Sequence, residues 1–393
     1  MNVVVDKLTA QPVLVENGLC TRFRCTKSLC TACIDVCPVD GAVRLIEQGV
    51  EVTASCIGCG ACASACPNGA LQPLKDDGRL ADRIRRRTSE SGPFRIACVR
   101  ADVEADLVLS CLARLTEGLI LEPIRFGAGR VELMAPDCSS CPLAKAAPQW
   151  RRTLRLAGQL CAAAGLGAER VVAGATVRAK PRKALDQPDS RRALFRAAVK
   201  WTAEVAAGDD ANHEAEQEPP EQFRDQVRRH HENRKRSHLL DVLRALPGAR
   251  PAANVVPATD IPFARLDVTP KCVGCNVCEV LCPVGALVHR EGEGTYTLDV
   301  DPAICTGCGV CHEACFFKAI RLRDTVDLSI LFGAPRDMLV YAPRQKCQVC
   351  NESFLTNRSA ADDPSGFCPM CLVSERRREA AARQMILRGM LRV

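Results

Sequence analysis

The chain has 393 residues, of which 26 are cysteines, a far larger share than an ordinary intracellular protein carries. Its 53 Lys and Arg nearly balance its 46 Asp and Glu, and the net charge of +7 calls for neither a nucleic acid nor a membrane as partner. With 2 Trp, 2 Tyr and 11 Phe, it has too few aromatic side chains for a surface that stacks single-stranded bases. The feature to explain is therefore the cysteine content.

The sequence shows no signal for export or membrane insertion. Its first residues lack the charged and apolar regions of a secretory signal, and no run of 18 apolar residues occurs. We therefore expect a cytoplasmic protein without a membrane span. Because a reducing compartment disfavours disulfides, metal ligation becomes the expected use of the cysteines.

The strongest pattern is an internal repeat of closely spaced cysteines. Each copy has two runs with spacing close to C-x2-C-x2-C-x3-C. The runs of the N-terminal copy are Cys25-x4-Cys30-x2-Cys33-x3-Cys37 and Cys56-x2-Cys59-x2-Cys62-x3-Cys66. The runs of the C-terminal copy are Cys272-x2-Cys275-x2-Cys278-x3-Cys282 and Cys305-x2-Cys308-x2-Cys311-x3-Cys315. Proline follows every run except the last, where Phe316 takes its place.

Three cysteine thiolates with two residues between each can bind three irons of one cubane-shaped 4Fe-4S cluster, while the fourth cysteine of the run reaches the neighbouring cluster. The repeat resembles the bacterial two-cluster 4Fe-4S ferredoxin family over roughly residues 18–74 and 266–324. This resemblance implies four 4Fe-4S clusters, two in each copy. Alternating apolar residues before each second run, around Val50 and around Leu298, predict hairpin strands.

The resemblance also implies which cysteines share a cluster, because the two runs of a copy exchange their fourth cysteine. The implied quartets are Cys25, Cys30, Cys33 with Cys66; Cys56, Cys59, Cys62 with Cys37; Cys272, Cys275, Cys278 with Cys315; and Cys305, Cys308, Cys311 with Cys282. The first run departs from the family pattern, because it has four residues between Cys25 and Cys30. Cys20 stands nearby as an alternative first ligand.

Two alternatives to iron–sulfur clusters fit these cysteines less well. Zinc ribbons use pairs of cysteines rather than quartets. The segment Cys308-x2-Cys311-His312 matches the haem-attachment pattern, but both cysteines already belong to the repeat. Haem attachment of that type is also expected outside the cytoplasm.

Residues 94–174 have an α/β pattern. Strands are predicted at FRIACV, ADLVLSCL, RVELMAPD and residues 170–173, and helices at LTEGLILEPIRFGA and over residues 143–164. Four cysteines stand at or just after strand ends, where ligands gather in open α/β sheets. They are Cys98, Cys111, Cys138 and Cys141, and such placement can bring them to one site.

This middle segment resembles the hydrogenase iron–sulfur (delta) subunit domain through Cys111-x2-Arg114, Gly129-Arg130-Val131 and Asp137-Cys138-x2-Cys141. The resemblance implies a module that passes electrons among partner subunits, with a further iron–sulfur site at the four middle cysteines. Several of that family's cysteines have no counterpart here, so zinc and unligated thiols stay open as alternatives. Cys161, on a predicted helix, is expected to be a buried core cysteine.

The stretch before the second repeat is predicted to be a linker. Residues 204–237 are highly charged, contain Pro219 and Pro220, and have few apolar side chains. From about Glu221 to Leu246 the sequence favours a solvated helix that ends at Pro247-Gly248.

Four further cysteines predict a zinc site near the end of the chain. The gap between Cys347-x2-Cys350 and Cys368-x2-Cys371 falls within the roughly 15 to 20 residues typical of four-cysteine zinc sites. Tetrahedral zinc would fold this loop-rich stretch, and a rubredoxin-like iron site is the alternative. The segment SERRREAAARQMILRGMLRV has the pattern of a basic amphipathic helix, which suits a solvated helix or docking onto a protein, nucleic acid or membrane surface.

The sequence contains no nucleotide-binding glycine motif and no catalytic constellation. Without a flavin, nicotinamide or molybdopterin site, the chain can carry single electrons but has no visible place to exchange them in pairs with a substrate. We therefore expect an electron-transfer subunit, without activity alone, that relays electrons between a partner oxidoreductase and a soluble carrier. The partner would be a hydrogenase, a molybdenum or tungsten enzyme, or a flavoprotein.

Two other functions stay open at this stage. The first is a redox-sensing regulatory or scaffold protein that binds nucleic acid or protein through the C-terminal zinc knuckle and basic helix. The second is an enzyme whose site lies in the middle segment.

The predicted fold class is multi-domain α+β, with two ferredoxin-like dicluster modules flanking a small α/β domain, and a C-terminal zinc-ribbon-like knuckle and helix. The predicted segments are 1–80 (first module), 92–202 (α/β domain), 203–260 (linker), 261–325 (second module) and 340–393 (knuckle and helix).

Overall fold

The computed structural model describes residues 13–73, 77–180, 223–292, 294–356, 366–374 and 378. The helices are α1 (Thr21–Arg24), α2 (Ala32–Asp35), α3 (Ala61–Ala65), α4 (Asp77–Arg87), α5 (Glu117–Arg125), α6 (Ala147–Ala163), α7 (Phe223–Arg228), α8 (Arg234–Arg244), α9 (Val277–Val280) and α10 (Val310–Ala314). The strands are β1 (Val13–Val15), β2 (Val43–Ile46), β3 (Gly49–Val52), β4 (Leu71–Pro73), β5 (Pro93–Cys98), β6 (Leu107–Leu109), β7 (Arg130–Met134), β8 (Val171–Ala173), β9 (Val255–Pro257), β10 (Leu266–Val268), β11 (Leu287–Gly292), β12 (Thr295–Val300), β13 (Ile320–Leu322), β14 (Thr325–Asp327), β15 (Asp337–Lys346) and β16 (Ser353–Leu355).

The two cysteine-rich repeats are built on the same plan. In the first, β2 and β3 form an antiparallel hairpin and β1 pairs antiparallel with β4. In the second, β11 pairs with β12 and β10 with β13 in the same way. The hairpin strands predicted around Val50 and Leu298 are therefore confirmed, and both residues are buried. In each repeat a short helix, α3 or α10, follows a glycine and carries the third cysteine of the second run.

The second hairpin is extended by two further strands. Strand β15 pairs antiparallel with β12, and β16 pairs with β15, giving a four-stranded sheet in the order β11-β12-β15-β16. Because β15 ends at Lys346, the sheet delivers the chain directly to Cys347, the first of the C-terminal four cysteines. The C-terminal cysteine site is thus tied to the second repeat through backbone pairing.

The middle segment contains the predicted α/β unit. Its four strands are all parallel and lie in the order β6-β5-β7-β8. Helix α5 begins after Thr116, whose side chain accepts a hydrogen bond from the Leu119 N–H, as an N-cap does. Helix α6 buries Cys161 completely, so the expectation of a core cysteine is confirmed.

The segment expected to be a solvated helix in a linker is different in the structure. Instead of one helix there are two, α7 and α8, and the described residues before α8 include a break at residues 229–233. Helix α8 buries Leu239, Leu240, Val242 and Leu243, each at most 3% exposed. The prediction of one solvated helix was wrong because the charged residues Arg234, Lys235 and Asp241 dominate the local composition, whereas the apolar stripe of α8 finds its partner only in the folded chain. Residues 204–222 of the predicted linker lie outside the described residues.

Helix α8 packs on α5 of the middle segment. His238 Nε2 lies 2.8 Å from Glu122 Oε1, and a Cβ atom added to Gly118 would come within 2.7 Å of His238 Nδ1. The apolar side chains of α8 join one hydrophobic core with the middle sheet, with Ala61 of the first repeat and with Phe263 and Ala303 of the second. One core therefore connects both repeats to the α/β unit. None of the described helices has the length and apolarity that crossing a membrane requires.

Leu243 tests the position of α8 in this core. We expect Leu243→Ala to lower the free energy of unfolding by about 2–5 kcal/mol, because the side chain is fully buried and its loss leaves a cavity. Chemical denaturation of the metal-loaded protein measures the effect. The matched control is Asp241→Ala on the exposed face of the same helix, which should change stability by less than about 0.5 kcal/mol. Equal effects of the two substitutions would contradict the buried position of α8.

Candidate iron–sulfur and metal sites

Two of the predicted quartets line cavities of their own. Cys37, Cys56, Cys59 and Cys62, called quartet 2, surround one cavity in the first repeat. Cys282, Cys305, Cys308 and Cys311, called quartet 4, surround another in the second repeat. In both cases the fourth cysteine comes from the other run of the same repeat, which is the exchange that the ferredoxin resemblance implies.

The first quartet differs by one cysteine from the quartet that the ferredoxin resemblance implies. A cavity in the first repeat is lined by Cys20, Cys30, Cys33 and Cys66, called quartet 1. Cys25 does not line this cavity. Its side chain is buried, and its backbone N–H donates to the Thr21 carbonyl at 2.9 Å, where α1 ends. The alternative ligand Cys20 thus lies with the other three cysteines.

The remaining quartet lies at the surface of the second repeat. Cys272, Cys275, Cys278 and Cys315, called quartet 3, are electrostatic neighbours of one another. Burial, and then the neighbouring thiols of Cys272 and Cys275, raise the pKa of Cys278 to about 12. Cys275 itself is exposed, as is the adjoining Phe316 with 78% of its surface accessible. Quartet 3 therefore reaches solvent.

The backbone around the quartets repeats its conformation and its hydrogen bonds. Gly60 and Gly309 both have φ near +76°, a left-handed conformation that side chains disfavour, and each precedes a cluster helix. The backbone N–H groups of Ala70, Ala286 and Ala319 each donate to the sulfur of the cysteine four residues earlier, all at 3.3 Å. These donors stabilise negative charge on sulfur, as expected of iron–sulfur ligation.

Burial weakens the acidity of several buried quartet thiols. It raises the pKa of Cys33 to about 12 and that of Cys305 to about 11, with further increases from neighbouring cysteines. Ionising four such thiols together requires a cationic partner, and iron in a cluster supplies that charge. The four quartets therefore fit 4Fe-4S clusters, which when bound supply one-electron redox chemistry.

A buried contact joins the two repeats between quartets 1 and 4. Asn68 lines the cavity of quartet 1 and Thr306 lines that of quartet 4. The Thr306 hydroxyl donates to Asn68 Oδ1, and Asn68 Nδ2 donates to the Leu19 carbonyl at 2.9 Å. Sequence reasoning did not find this contact, because the two residues are 238 positions apart and neither belongs to a cysteine motif.

The four middle cysteines lie at one edge of the parallel sheet. Burial is the main cause of the raised pKa of Cys98, and the neighbouring thiols of Cys138 and Cys141 raise it further. Burial likewise raises the pKa of Cys111 to about 12, with contributions from Cys59, Cys141 and Cys98. The four thiols are therefore neighbours, and Cys59 of quartet 2 lies beside them. A Cβ atom added to Gly60 would lie 3.0 Å from Arg114 Cγ, so the quartet 2 loop packs on the turn after Cys111.

The C-terminal four cysteines form the tightest group. The Sγ atoms of Cys347, Cys350, Cys368 and Cys371 all lie within 4.8 Å of one another, and no other group of at least three ligand residues does so among the residues that the structure describes. Cys350 and Cys368 have a sulfur–sulfur distance of 3.8 Å, which is the edge of a tetrahedron with metal–sulfur bonds of about 2.3 Å. The Cys368 N–H donates to Cys347 Sγ at 3.2 Å. The group fits one tetrahedral metal ion. The basic segment after it lies almost entirely outside the described residues.

Known protein families match the second repeat and the second half of the first repeat. Residues 271–319 match the 4Fe-4S dicluster domain, and residues 51–72 match the 4Fe-4S binding domain. The matched ranges contain the cysteines of quartets 3 and 4 and the second run of the first repeat. Both matches are local and leave most of the chain uncovered.

Three curated relatives show the same local similarity. The pyruvate synthase subunit PorD of Methanothermobacter marburgensis is 38% identical over 61 residues, 16% of this chain and 63% of that protein. An uncharacterized ferredoxin of Methanocaldococcus jannaschii is 36% identical over 70 residues, 18% of this chain and 40% of that protein.

The third relative belongs to an ion-translocating oxidoreductase complex of Methanosarcina acetivorans, as one of its subunits. It is 42% identical over 52 residues, 13% of this chain and 18% of that protein. The chain thus spans less than two thirds of the length of each of these relatives. What they share with it is the cysteine-rich segment. The chain therefore carries two 4Fe-4S ferredoxin-type domains, a dicluster domain in the second repeat and a 4Fe-4S binding domain in the first.

Proposed function

We propose that the chain is an iron–sulfur electron-transfer subunit that relays single electrons between a partner oxidoreductase and a second carrier. The observation that carries this proposal is the presence of four separate cysteine quartets, three of them lining cavities and one reaching the surface. A set of several one-electron sites in one chain suits electron transfer through the protein better than chemistry on a substrate.

The proposed partner is an oxidoreductase because two relatives are named as subunits of such assemblies, pyruvate synthase and an ion-translocating oxidoreductase complex. Quartet 3 is the proposed point of exchange with a partner. Its ligand Cys275 is exposed, and the exposed apolar side chains of Phe316 and Val277 adjoin its cysteines. Quartet 4, whose Cys282 and Cys305 are buried, would instead exchange electrons within the chain.

For quartet 1 we propose Cys20 as the ligand in place of Cys25. Cys20 lines the cavity with Cys30, Cys33 and Cys66, whereas Cys25 does not. The short helix α1 between Cys20 and Cys25 turns the chain so that the earlier cysteine faces the cavity. The departure from the usual spacing of the first run is explained by this insertion.

We also propose a further iron–sulfur site at Cys98, Cys111, Cys138 and Cys141. These thiols are electrostatic neighbours at the carboxyl edge of the sheet, beside Cys59 of quartet 2. No three of their sulfur atoms approach as closely as those of the C-terminal group, which argues against a single tetrahedral zinc ion. A cluster of several irons needs wider sulfur spacing than one ion does.

For the C-terminal four cysteines we propose one structural zinc ion. The sulfur spacing, the closed coordination by four thiolates and the small surrounding core of Cys347, Phe354 and Cys368 support a folding role. Since β15 and β16 belong to the sheet of the second repeat, the zinc would fix the end of that sheet next to quartet 3.

Electron uptake and delivery test the proposed function. Protein purified without oxygen is expected to take up at least about four electrons per chain, one for each quartet, and to pass them to a soluble acceptor such as cytochrome c. Cys275→Ser should remove about four irons and slow delivery several-fold, because it removes the exposed site. Cys161→Ser, at a buried core position away from the quartets, is the matched control and should keep both iron and rate. Iron-loaded protein that takes up no electrons from dithionite would contradict the proposal.

The two candidate ligands of quartet 1 can be separated by their iron content. We expect Cys20→Ser to lose about four irons per chain and Cys25→Ser to keep them, because only Cys20 lines the cavity. Iron and acid-labile sulfide analysis of the two anaerobically purified variants provides the measurement. The opposite pattern, with iron lost from Cys25→Ser alone, would restore Cys25 as the ligand.

Four 4Fe-4S clusters hold about sixteen iron atoms, so we expect a protein with the further middle site to contain more iron than that. Cys138→Ser should remove that extra iron and its signal in the electron paramagnetic resonance (EPR) spectrum of the reduced protein, while the signals of the four quartets persist. Cys161→Ser again serves as the control. If wild-type protein holds no iron beyond about sixteen atoms, and Cys138→Ser has the wild-type spectrum, the middle thiols bind no iron–sulfur cluster and the proposal of a further site is wrong.

A further inference from the structure

Quartet 4 is flanked by two buried arginines that come from outside its own repeat. Arg24 belongs to α1 of the first repeat and Arg236 to α8, and they are only 3% and 4% exposed. Buried arginines are uncommon, because removing a guanidinium from water is costly unless a negative group compensates it. Their position therefore requires a reason.

Arg24 crosses from the first repeat to the backbone beside quartet 4. Its Nε donates to the Gly18 carbonyl at 2.6 Å within its own repeat, and its Nη1 donates to the Val280 carbonyl at 3.5 Å in the other. Val280 is two residues before Cys282. The thiols of Cys282 and Cys308 are electrostatic partners of Arg24, together with the carboxylate of Glu16.

Arg236 lies behind the loop that carries Cys305 and Cys308. Its Cζ is 4.0 Å from the centroid of the Phe263 ring, and its Nη2 donates to the Pro262 carbonyl. Its Nη1 is buried and has no hydrogen-bond partner in the described structure. A Cβ atom at Gly307 would lie 3.0 Å from the Phe263 carbonyl oxygen, so Phe263 packs directly on the loop. The electrostatic partners of Arg236 are Glu117 and Cys305.

Both groups stay charged at neutral pH. Burial lowers the pKa of the Arg236 guanidinium to about 10, which still leaves it protonated, and burial also lowers the pKa of Arg24. A cluster held by four thiolates becomes more negative by one charge when it is reduced. Cations fixed nearby in a medium of low dielectric constant therefore favour its reduced form.

Among the described residues, the other three quartets have no comparable buried pair. Quartet 1 has two cations nearby, because Arg22 donates to the Cys30 carbonyl and Lys235 donates to the Cys66 carbonyl. Arg114 packs on Gly60 of quartet 2, and the Arg344 guanidinium donates to the Gly274 carbonyl of quartet 3. All four of these side chains are partly exposed, so water and salt screen their charge. The carboxylates near this group are Glu16, which is partly exposed and lies 3.4 Å from His231 Nδ1, the buried Glu117 near Arg236, and Asp301 beside Cys305.

We propose that Arg24 and Arg236 are charge-setting residues for quartet 4 and give its site the highest reduction potential of the four. Because one comes from the first repeat and the other from α8, this potential depends on the two repeats being docked. The site would hold an electron in the interior of the protein, between the exposed quartet 3 and the quartets of the first repeat. The inference rests on the proposed electron-transfer function and its four clusters.

The reduction potential of each site in charge-neutral variants tests this proposal. Arg236→Met and Arg24→Met keep much of the side-chain volume and remove the charge. At a fixed ambient potential, each should lower the ratio of reduced to oxidised quartet 4 about tenfold, which is about 59 mV for one electron. Redox titration followed by EPR measures this, and the signal missing from Cys308→Ser identifies quartet 4. Arg236→Lys should retain most of the potential.

The control is Arg44→Met, which removes an exposed cation of the first repeat that pairs with Glu51, and it should leave all potentials unchanged. Unchanged quartet 4 potentials in iron-replete Arg236→Met and Arg24→Met would overturn the proposal. If Arg236→Met and Arg24→Met lose iron, the proposal is tested instead by comparing the redox titration of the wild-type protein with that of Cys308→Ser. Cys308→Ser must then lack the step of highest potential, and loss of any other step overturns the proposal. Failure of the electron-transfer function would look different, because wild-type protein would then take up no electrons.

Discussion

The structure depends on sulfur that must carry negative charge inside the protein. Burial raises the pKa of quartet thiols such as Cys33, Cys278 and Cys305, so a quartet becomes fully ionised only when a cationic group joins it. Short helices, left-handed glycines and backbone N–H donors all serve this requirement, since each lets polar backbone approach sulfur without a side chain in between. The repeats consequently have little regular secondary structure, and their stability is coupled to what they bind.

The same requirement explains why the repeats do not stand alone. Each repeat has a small hydrophobic core of its own, as expected of a small module. The α/β segment and α8 add a larger core that contains Ala61 of the first repeat, Leu243 of α8 and Phe263 of the second repeat. Docking through a shared core fixes the separation of the quartets, which a flexible linker would leave variable. A fixed arrangement suits electron transfer, which depends steeply on distance.

Charge is distributed unevenly over this arrangement. The surface quartet is accompanied by exposed apolar side chains such as Phe316, while the interior quartet is accompanied by the buried Arg24 and Arg236. Apolar surface next to an exposed site favours transient association with a partner, whereas buried positive charge would stabilise the reduced form of a cluster. The two ends of the second repeat thus have different physical properties although their cysteine motifs are nearly identical.

The sequence by itself predicted the cysteine runs of the two repeats, the hairpins around Val50 and Leu298, and the α/β unit, because each of these follows from spacing or periodicity within a few dozen residues. It also predicted a four-cysteine group at the C-terminal end, whose ligands lie close in sequence. Only the tertiary structure decided which of Cys20 and Cys25 faces a cavity, since the short helix α1 turns the chain between them. The position of α8 in the core was also decided only by the tertiary structure. An amphipathic helix in a charged stretch is buried only if another part of the folded chain offers an apolar surface for it to pack on. The contacts of Asn68 with Thr306 and of Arg24 with Val280 join residues more than two hundred positions apart, and no local pattern encodes such pairs.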